Sequence, residues 1–255
     1  PEHLKQSSTI TTLSRVTGYP NLISAHLDTP KKIGILGGTF DPPHLGHLKL
    51  ATHFAKVLHL NALLLIPSGE PWQKDSGITP AEIRLQLTEA AAIDLARVFL
   101  YSQIPTQIGV DRIEINRAGP SYAIDTVKAL RERFGPDVSL TWLMGADSLL
   151  NLASWNSWDQ LLSFVNFAVA SRPQHELSAE MSPEIEALLA KHQCMEPNAL
   201  EKSRFGRIYL DNSLSVDLSS TELRNQLKST SRSAIASEHI PSHALEIITN
   251  LGLYK

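Results

Sequence analysis

The sequence is short of cysteine: Cys194 is the only one in 255 residues, so no internal disulfide can form, as expected of a chain kept in a reducing compartment. Cys194 also lacks the neighbouring cysteines and histidines that a zinc site needs, and nothing beside it activates a thiol nucleophile. No apolar run approaches the roughly 20 residues required to cross a bilayer. The opening Pro1-Glu2-His3-Leu4-Lys5 lacks the apolar core of a signal peptide. A cytoplasmic location without a membrane partner is the resulting expectation. A net charge of −3 and a pI near 6.4 leave no basic footprint for nucleic acid. Two common phosphate-binding signatures are missing as well, the Gly-Lys-Ser/Thr of a P-loop and the G-x-G-x-x-G of a dinucleotide fold.

With 42% hydrophobic and 19% charged residues, the chain is composed as a globular protein with ample core. We divide it into a Ser/Thr-rich N-terminal extension, residues 1–29, and one domain over residues 30–255. The role of the extension and any homo-oligomerisation are not decided by the sequence.

The domain is organised around residues 32–48. Ile33-Gly34-Ile35-Leu36 reads as a buried parallel strand that ends in the turn Gly37-Gly38-Thr39-Phe40. Glycines there allow backbone N–H groups to approach an anion closely. A helical pattern begins near Leu45 and places His47 close to a helix N-terminus, whose free N–H groups and partial positive charge suit phosphate. His44 and His47, three residues apart, share a face if the helix has begun, and imidazoles can donate to phosphoryl oxygens as negative charge grows on them. On spacing alone, the two rings could equally be capping or filling space.

Further strands are expected at residues 62–66, 98–101, 138–144, 166–171 and 207–211, with an edge strand at 113–115. Helices are expected from a capping box at Thr79-Pro80-Ala81-Glu82 to about Ala96, from Ser121 to Gly135, after Ser182-Pro183, from about residue 218, and over residues 244–251. Alternation of this kind implies an α/β doubly wound parallel sheet, the five strands up to residues 166–171 lying parallel between helices, with a small C-terminal helical part and a ligand crevice at the carboxyl edge. Asp147, after Gly145 at the end of one strand, could accept from a ribose or cap a helix. Arg224 in Ser219-Ser220-Thr221-Glu222-Leu223-Arg224 could clamp phosphate or lie on the surface. Arg84 reads as exposed or paired with a carboxylate.

Gly37-Gly38-Thr39-Phe40-Asp41-Pro42-Pro43-His44-Leu45-Gly46-His47 resembles the signature of the nucleotidyltransferases that carry an H-x-G-H pair, and among them the bacterial nicotinate-mononucleotide adenylyltransferases. The resemblance runs over about residues 32–255 and includes Ser219-Ser220-Thr221-x-x-Arg224. It implies a Rossmann-like nucleotidyltransferase fold and adenylyl transfer from ATP to nicotinate mononucleotide, with Mg2+ carried on ATP and no metal site of the protein's own. It also implies catalytic roles for His44, His47 and Arg224. ATP would be held by Gly37, Gly38, Thr39, Phe40, Gly145, Asp147, Ser219, Ser220 and Thr221, and the mononucleotide by Lys74, Tyr122, Ala123 and Trp155. This sequence departs from the family in having Gln73 where histidine is common and Ala123 where threonine is usual. Related readings are an adenylyltransferase for nicotinamide mononucleotide or phosphopantetheine, and a nucleotide-binding sensor without turnover.

Overall fold

The computed structural model describes residues 31–71, 77–171, 180–214, 218–229 and 233–254. Its centre is a parallel sheet of seven strands: β1 (Lys32–Gly38), β2 (Ala62–Pro67), β3 (Gln107–Val110), β4 (Ser139–Gly145), β5 (Asn166–Ala170), β6 (Gln193–Cys194) and β7 (Ile208–Asp211). Their spatial order is β3-β2-β1-β4-β5-β7-β6, with every neighbouring pair parallel. The order reverses between β1 and β4, so the loops after these two strands diverge and leave a crevice between them.

Alternation along the strands separates two cores. Ile33, Ile35, Leu64, Leu140, Trp142 and Phe167 face one side, and Leu63, Leu65, Leu143 and Ala168 the other. Helices cover both faces, which is why the strands read as continuous apolar runs. On the second side lie α1 (Leu45–Val57), through Ala51, Phe54 and Ala55, and α2 (Ala81–Tyr101), through Leu85, Ala92, Leu95 and Phe99. On the first side lies α3 (Ala123–Phe134), through Ile124, Val127 and Leu130. Next in the chain are α4 (Ala146–Leu150), α5 (Pro183–His192) and α6 (Asn198–Lys202). The C-terminal part is helical, comprising α7 (Ser220–Leu227), α8 (Ser233–Ser237) and α9 (Ser242–Leu251). It packs on the outer face of α2 around Leu87, Ala90, Leu223, Ala244 and Ile248.

Three local expectations are corrected. Residues 98–101 are the last turn of α2, not a strand: Phe99 is buried, whereas Leu100 and Tyr101 are exposed, an uneven exposure that a short apolar run does not reveal. The third strand comes later, at β3. Residues 113–115 form a turn because Asp111 accepts from the Ile113 N–H at 3.0 Å and bends the chain away from the sheet. Thr79 does not cap α2, whose N-cap position is Pro80, because its own backbone and hydroxyl are engaged with Asp41 and Tyr254. The added strand β6 and helix α6 bring order to a connection in which one helix was expected.

Asp94 of α2 fastens the C-terminal part by accepting from Ser242 Oγ at 3.0 Å, the His243 N–H at 3.0 Å and His243 Nδ1 at 2.7 Å, thereby capping α9 from another helix. Asp94→Ala is expected to lower unfolding stability by about 1–2 kcal/mol, measured by urea denaturation. No change would mean that the apolar contacts of α9 hold it unaided.

Candidate active site

A cleft of about 380 Å³ opens where the sheet order reverses. One wall is Gly37, Gly38 and Thr39 after β1, followed by His44, Gly46 and His47 at the start of α1. The other is Gly145, Ala146 and Asp147 after β4. Ser68, Pro71, Glu114, Ser121, Ala123 and Trp155 line it elsewhere. Gly37 is small for a packing reason, since a Cβ there would meet the Trp142 ring at 2.6 Å. At Gly145 a Cβ would meet nothing within 4 Å, so that glycine leaves open backbone on the cleft wall.

The histidine pair is preorganised. His44 is the N-cap residue of α1 and His47 its third residue; the rings stack with centroids 3.7 Å apart and planes 22° apart. The His44 N–H donates to His47 Nδ1 at 3.1 Å, which assigns the proton of a neutral His47 to Nε2. His47 therefore offers a fixed donor at the first turn of a helix. Phe40, at φ 51°, is buried and supports the His47 ring edge-on at 5.0 Å. Its ring is a support for His47 and is not on the cleft wall.

Beneath the loop lies a network of buried polar groups that periodicity cannot reveal. Arg84 is 1% exposed, contrary to the surface or ion-paired position expected. Its Nε donates to Thr79 O at 2.8 Å, Nη1 to Thr39 O at 2.9 Å and Ser68 O at 2.6 Å, and Nη2 to Gly69 O at 2.8 Å. Burial lowers its pKa, and the nearby Asp41 charge opposes that shift. Asp41 is fully buried and accepts from Tyr254 Oη at 2.5 Å and from the Thr79 N–H at 3.2 Å. Burial, followed by the hydrogen bond to Asp41, pushes the Tyr254 hydroxyl far above the usual phenol range and keeps it a donor.

The Ser219–Arg224 segment leans on the same loop. Ser220 Oγ donates to Pro42 O at 2.9 Å, and Arg224 Nη1 donates to Asp41 O at 2.5 Å, with Nη2 on Thr221 Oγ1 at 3.2 Å. Arg224, Ser219, Ser220 and Thr221 thus stand behind the loop and not among the cleft-lining residues, although Leu218 reaches the cleft. Asp147 is exposed on the cleft and does not cap α4, where Gly145 is the N-cap residue. Trp155 is half-buried, edge-on to Trp142 at 6.2 Å, with its indole on the cleft, while Trp158 packs against the core. Tyr122, not Ser121, is the N-cap residue of α3; Ser121 Oγ instead accepts from the Gly69 and Glu70 N–H groups at 2.9 and 3.1 Å. Lys74 lies outside the described residues.

Sequence reasoning missed Glu114, a cleft-lining carboxyl 5% exposed. Thr126 Oγ1 donates to its Oε1 at 2.7 Å, and Arg117 Nη1 donates to Thr126 Oγ1 at 3.2 Å. Burial raises its pKa, against these hydrogen bonds and the charge of Arg117. The only signal for it was an acid within an otherwise apolar triplet.

Residues 35–226 match the cytidylyltransferase-like family. The chain belongs to that family. A protein of Herminiimonas arsenicoxydans named "probable nicotinate-nucleotide adenylyltransferase" is 32% identical over 223 residues, 88% of this chain and 96% of its own length. One of the same name from Aeromonas hydrophila subsp. hydrophila is 37% identical over 223 residues, 88% of this chain and 97% of its own. Among solved structures, the Plasmodium falciparum nicotinic acid mononucleotide adenylyltransferase complexed with NaAD superposes with a TM-score of 0.63 at 17% identity, covering 88% of this chain and 97% of that one. This last likeness bears on fold alone, and it agrees with the doubly wound parallel sheet expected from the sequence.

Arg84→Met is expected to destabilise the protein by about 3 kcal/mol or more, because four carbonyl oxygens beneath the cleft lose their donor. Thermal unfolding would measure it. A midpoint within a degree of the parent would show that these carbonyls find other partners.

Proposed function

We propose that this chain transfers the adenylyl group of ATP to nicotinate mononucleotide, giving nicotinate adenine dinucleotide and pyrophosphate, a step of NAD biosynthesis. The observation that carries the proposal is the stacked His44–His47 pair at the N-terminus of α1, on one cleft wall with the Gly37–Thr39 turn and opposite the open Gly145 backbone after β4. Support from relatives comes from proteins of that name matched over nearly their whole length.

The phosphate of the mononucleotide attacks the α-phosphorus of ATP and pyrophosphate leaves, so no protein nucleophile is needed and catalysis is positioning plus charge stabilisation. The Gly37–Thr39 backbone and the first turn of α1 receive the triphosphate; His47 Nε2–H and His44 stabilise the charge developing on it. Gly145 gives the nucleoside room and Asp147 accepts from its ribose. Trp155 stacks on the pyridine ring, whose cationic nitrogen adds attraction, and the backbone at Tyr122 and Ala123, at the start of α3, faces its substituent. Arg224, with Ser219, Ser220 and Thr221, braces the loop at Asp41 and Pro42 from behind and adds positive charge on the side of the departing pyrophosphate.

Among the described residues no group of three or more acidic, histidine or cysteine side chains could hold a metal. The donors present fit a Mg2+ ion bound by ATP oxygens and water, with Asp147 the exposed carboxylate of the cleft. When bound, the ion neutralises triphosphate charge. No helix among the described residues is long and apolar enough to cross a membrane, and we place the enzyme in the cytoplasm.

Pyrophosphate release from ATP and Mg2+ tests the reading, with nicotinate mononucleotide, nicotinamide mononucleotide and phosphopantetheine offered separately. Nicotinate mononucleotide is expected to be the preferred acceptor. Another acceptor would keep the chemistry and change the substrate; nucleotide binding without release from any would indicate a sensor. His47→Ala is expected to lower kcat roughly 10²-fold through loss of a preorganised donor, and near-parent turnover would remove it from the mechanism. Trp155→Ala is expected to raise KM for the mononucleotide more than KM for ATP; equal increases would refute the stacking assignment.

A further inference from the structure

We propose that Glu114 makes the discrimination between a carboxylate-bearing and a carboxamide-bearing pyridine depend on a proton, by taking one up when the carboxylate ring binds and donating it as a hydrogen bond to the ring carboxylate. The inference rests on the adenylyltransferase reading above and names a residue that the reading leaves unused.

Glu114 lines the cleft together with Ser121, Ala123 and Trp155, the residues around the pyridine end. It is tied to the start of α3, because Thr126 Oγ1 donates to its Oε1 and Ser121 is hydrogen-bonded to it. Ser121 in turn accepts from the Gly69 and Glu70 N–H groups, so the carboxyl joins the two loops that shape this end of the cleft. The backbones are in close contact as well: a Cβ on Gly69 would lie 2.3 Å from the Glu114 carbonyl oxygen.

The charged groups around Glu114 are few. Arg117, on its own turn, is directed at Thr126, and Arg84 of α2 is directed at backbone carbonyls. Asp111 is paired with Arg133 of α3, while Glu70 after β2 and Asp125 of α3 are exposed. Neither arginine is salt-bridged to Glu114, and burial outweighs both in raising its pKa. A second carboxylate brought into the same desolvated end of the cleft raises it further, since two like charges at short range in low dielectric cannot both stay ionised. The proton comes from solvent. Once protonated, Glu114 has an O–H to donate to an ionised partner, a strong charge-assisted hydrogen bond. A carboxamide ring brings no charge, and its N–H can donate to ionised Glu114, so its binding calls for no proton.

Proton linkage gives this a sign. In the free protein, Glu114 with its raised pKa binds a proton at lower pH and releases it as pH rises. Affinity for the nicotinate form therefore falls at pH values above that pKa, by up to about tenfold per pH unit. The phosphate of the mononucleotide titrates near pH 6 in either form, so the comparison with nicotinamide mononucleotide cancels it.

The test begins with pyrophosphate release by the parent protein, which judges the adenylyltransferase reading by itself. Calorimetric binding of nicotinate and nicotinamide mononucleotides then follows at pH 7.5 in phosphate and in Tris, whose ionisation enthalpies differ. The parent is expected to take up more protons with the nicotinate form, by at most about one, and Glu114→Gln is expected to abolish the difference while keeping a hydrogen-bond donor. Equal uptake for both ligands in the parent, or a difference that survives in Glu114→Gln, overturns the inference while leaving the enzymatic reading intact. Should Glu114→Gln fail to fold, the parent's uptake difference and its affinity ratio between pH 6.5 and 8.5 decide. A ratio that does not move with pH refutes the proposal.

Discussion

The cleft depends on a buried guanidinium. Arg84 comes from α2, yet its donors go to carbonyls after β1, after β2 and before α2 itself, so three separate loops are held at fixed spacing by one rigid fork. A lysine could not do this, since a single ammonium cannot reach four acceptors spread over a plane. Asp41 repeats the pattern with opposite charge: it is buried in the glycine loop and is satisfied by a tyrosine hydroxyl and a backbone N–H from elsewhere in the chain. Removing a buried charge or its partners costs more than the net worth of the contacts. The loop therefore has one low-energy arrangement, and the donors it presents are oriented before any ligand arrives.

From this follows a division of labour between the two sides of the glycine loop. Facing the cleft are groups that an anion can use: backbone N–H, the first turn of α1 and His47 Nε2. Behind it stand Arg84, Arg224, Ser220 and Tyr254, which make the loop stiff. The small C-terminal helical part thus belongs to the site, because it delivers Tyr254 to Asp41 and Arg224 to the Asp41 carbonyl. His239 O also accepts from the Leu45 N–H at 2.8 Å, taking one of the orphan donors at the start of α1. That donor is lost to an anion; what the contact contributes is the position of the helix.

What could be read from residues alone follows how local each signal is. The strand Ile33-Gly34-Ile35-Leu36, the glycine turn and the His44–His47 spacing are contiguous, and β1, α1 and the stacked rings lie where that pattern places them. Residues 98–101 misled because β-branched and aromatic residues in a short run suit either a strand or the end of a helix, and only the packing of Phe99 on the sheet distinguishes them. Ser121 and Thr79 were assigned as caps by motif, but tertiary partners claimed both side chains. Arg84, Tyr254 and Glu114 carried almost no signal, because whether a polar residue is buried depends on segments distant in sequence that converge on it.

Placing a carboxyl such as Glu114 in the cleft is costly unless its charge state is put to use. The Arg117 charge acts on Glu114, but its Nη1 donates to Thr126, which then donates to Glu114. The hydroxyl between them keeps the charges apart and leaves the acid weakly compensated. A glutamine there would satisfy the same hydroxyls without the desolvation penalty of an ion. An acid at this position can change from acceptor to donor with a single proton, which a permanently ion-paired carboxylate cannot do. The same desolvation that makes the ionised form expensive is what raises the pKa of Glu114 above the usual carboxyl range.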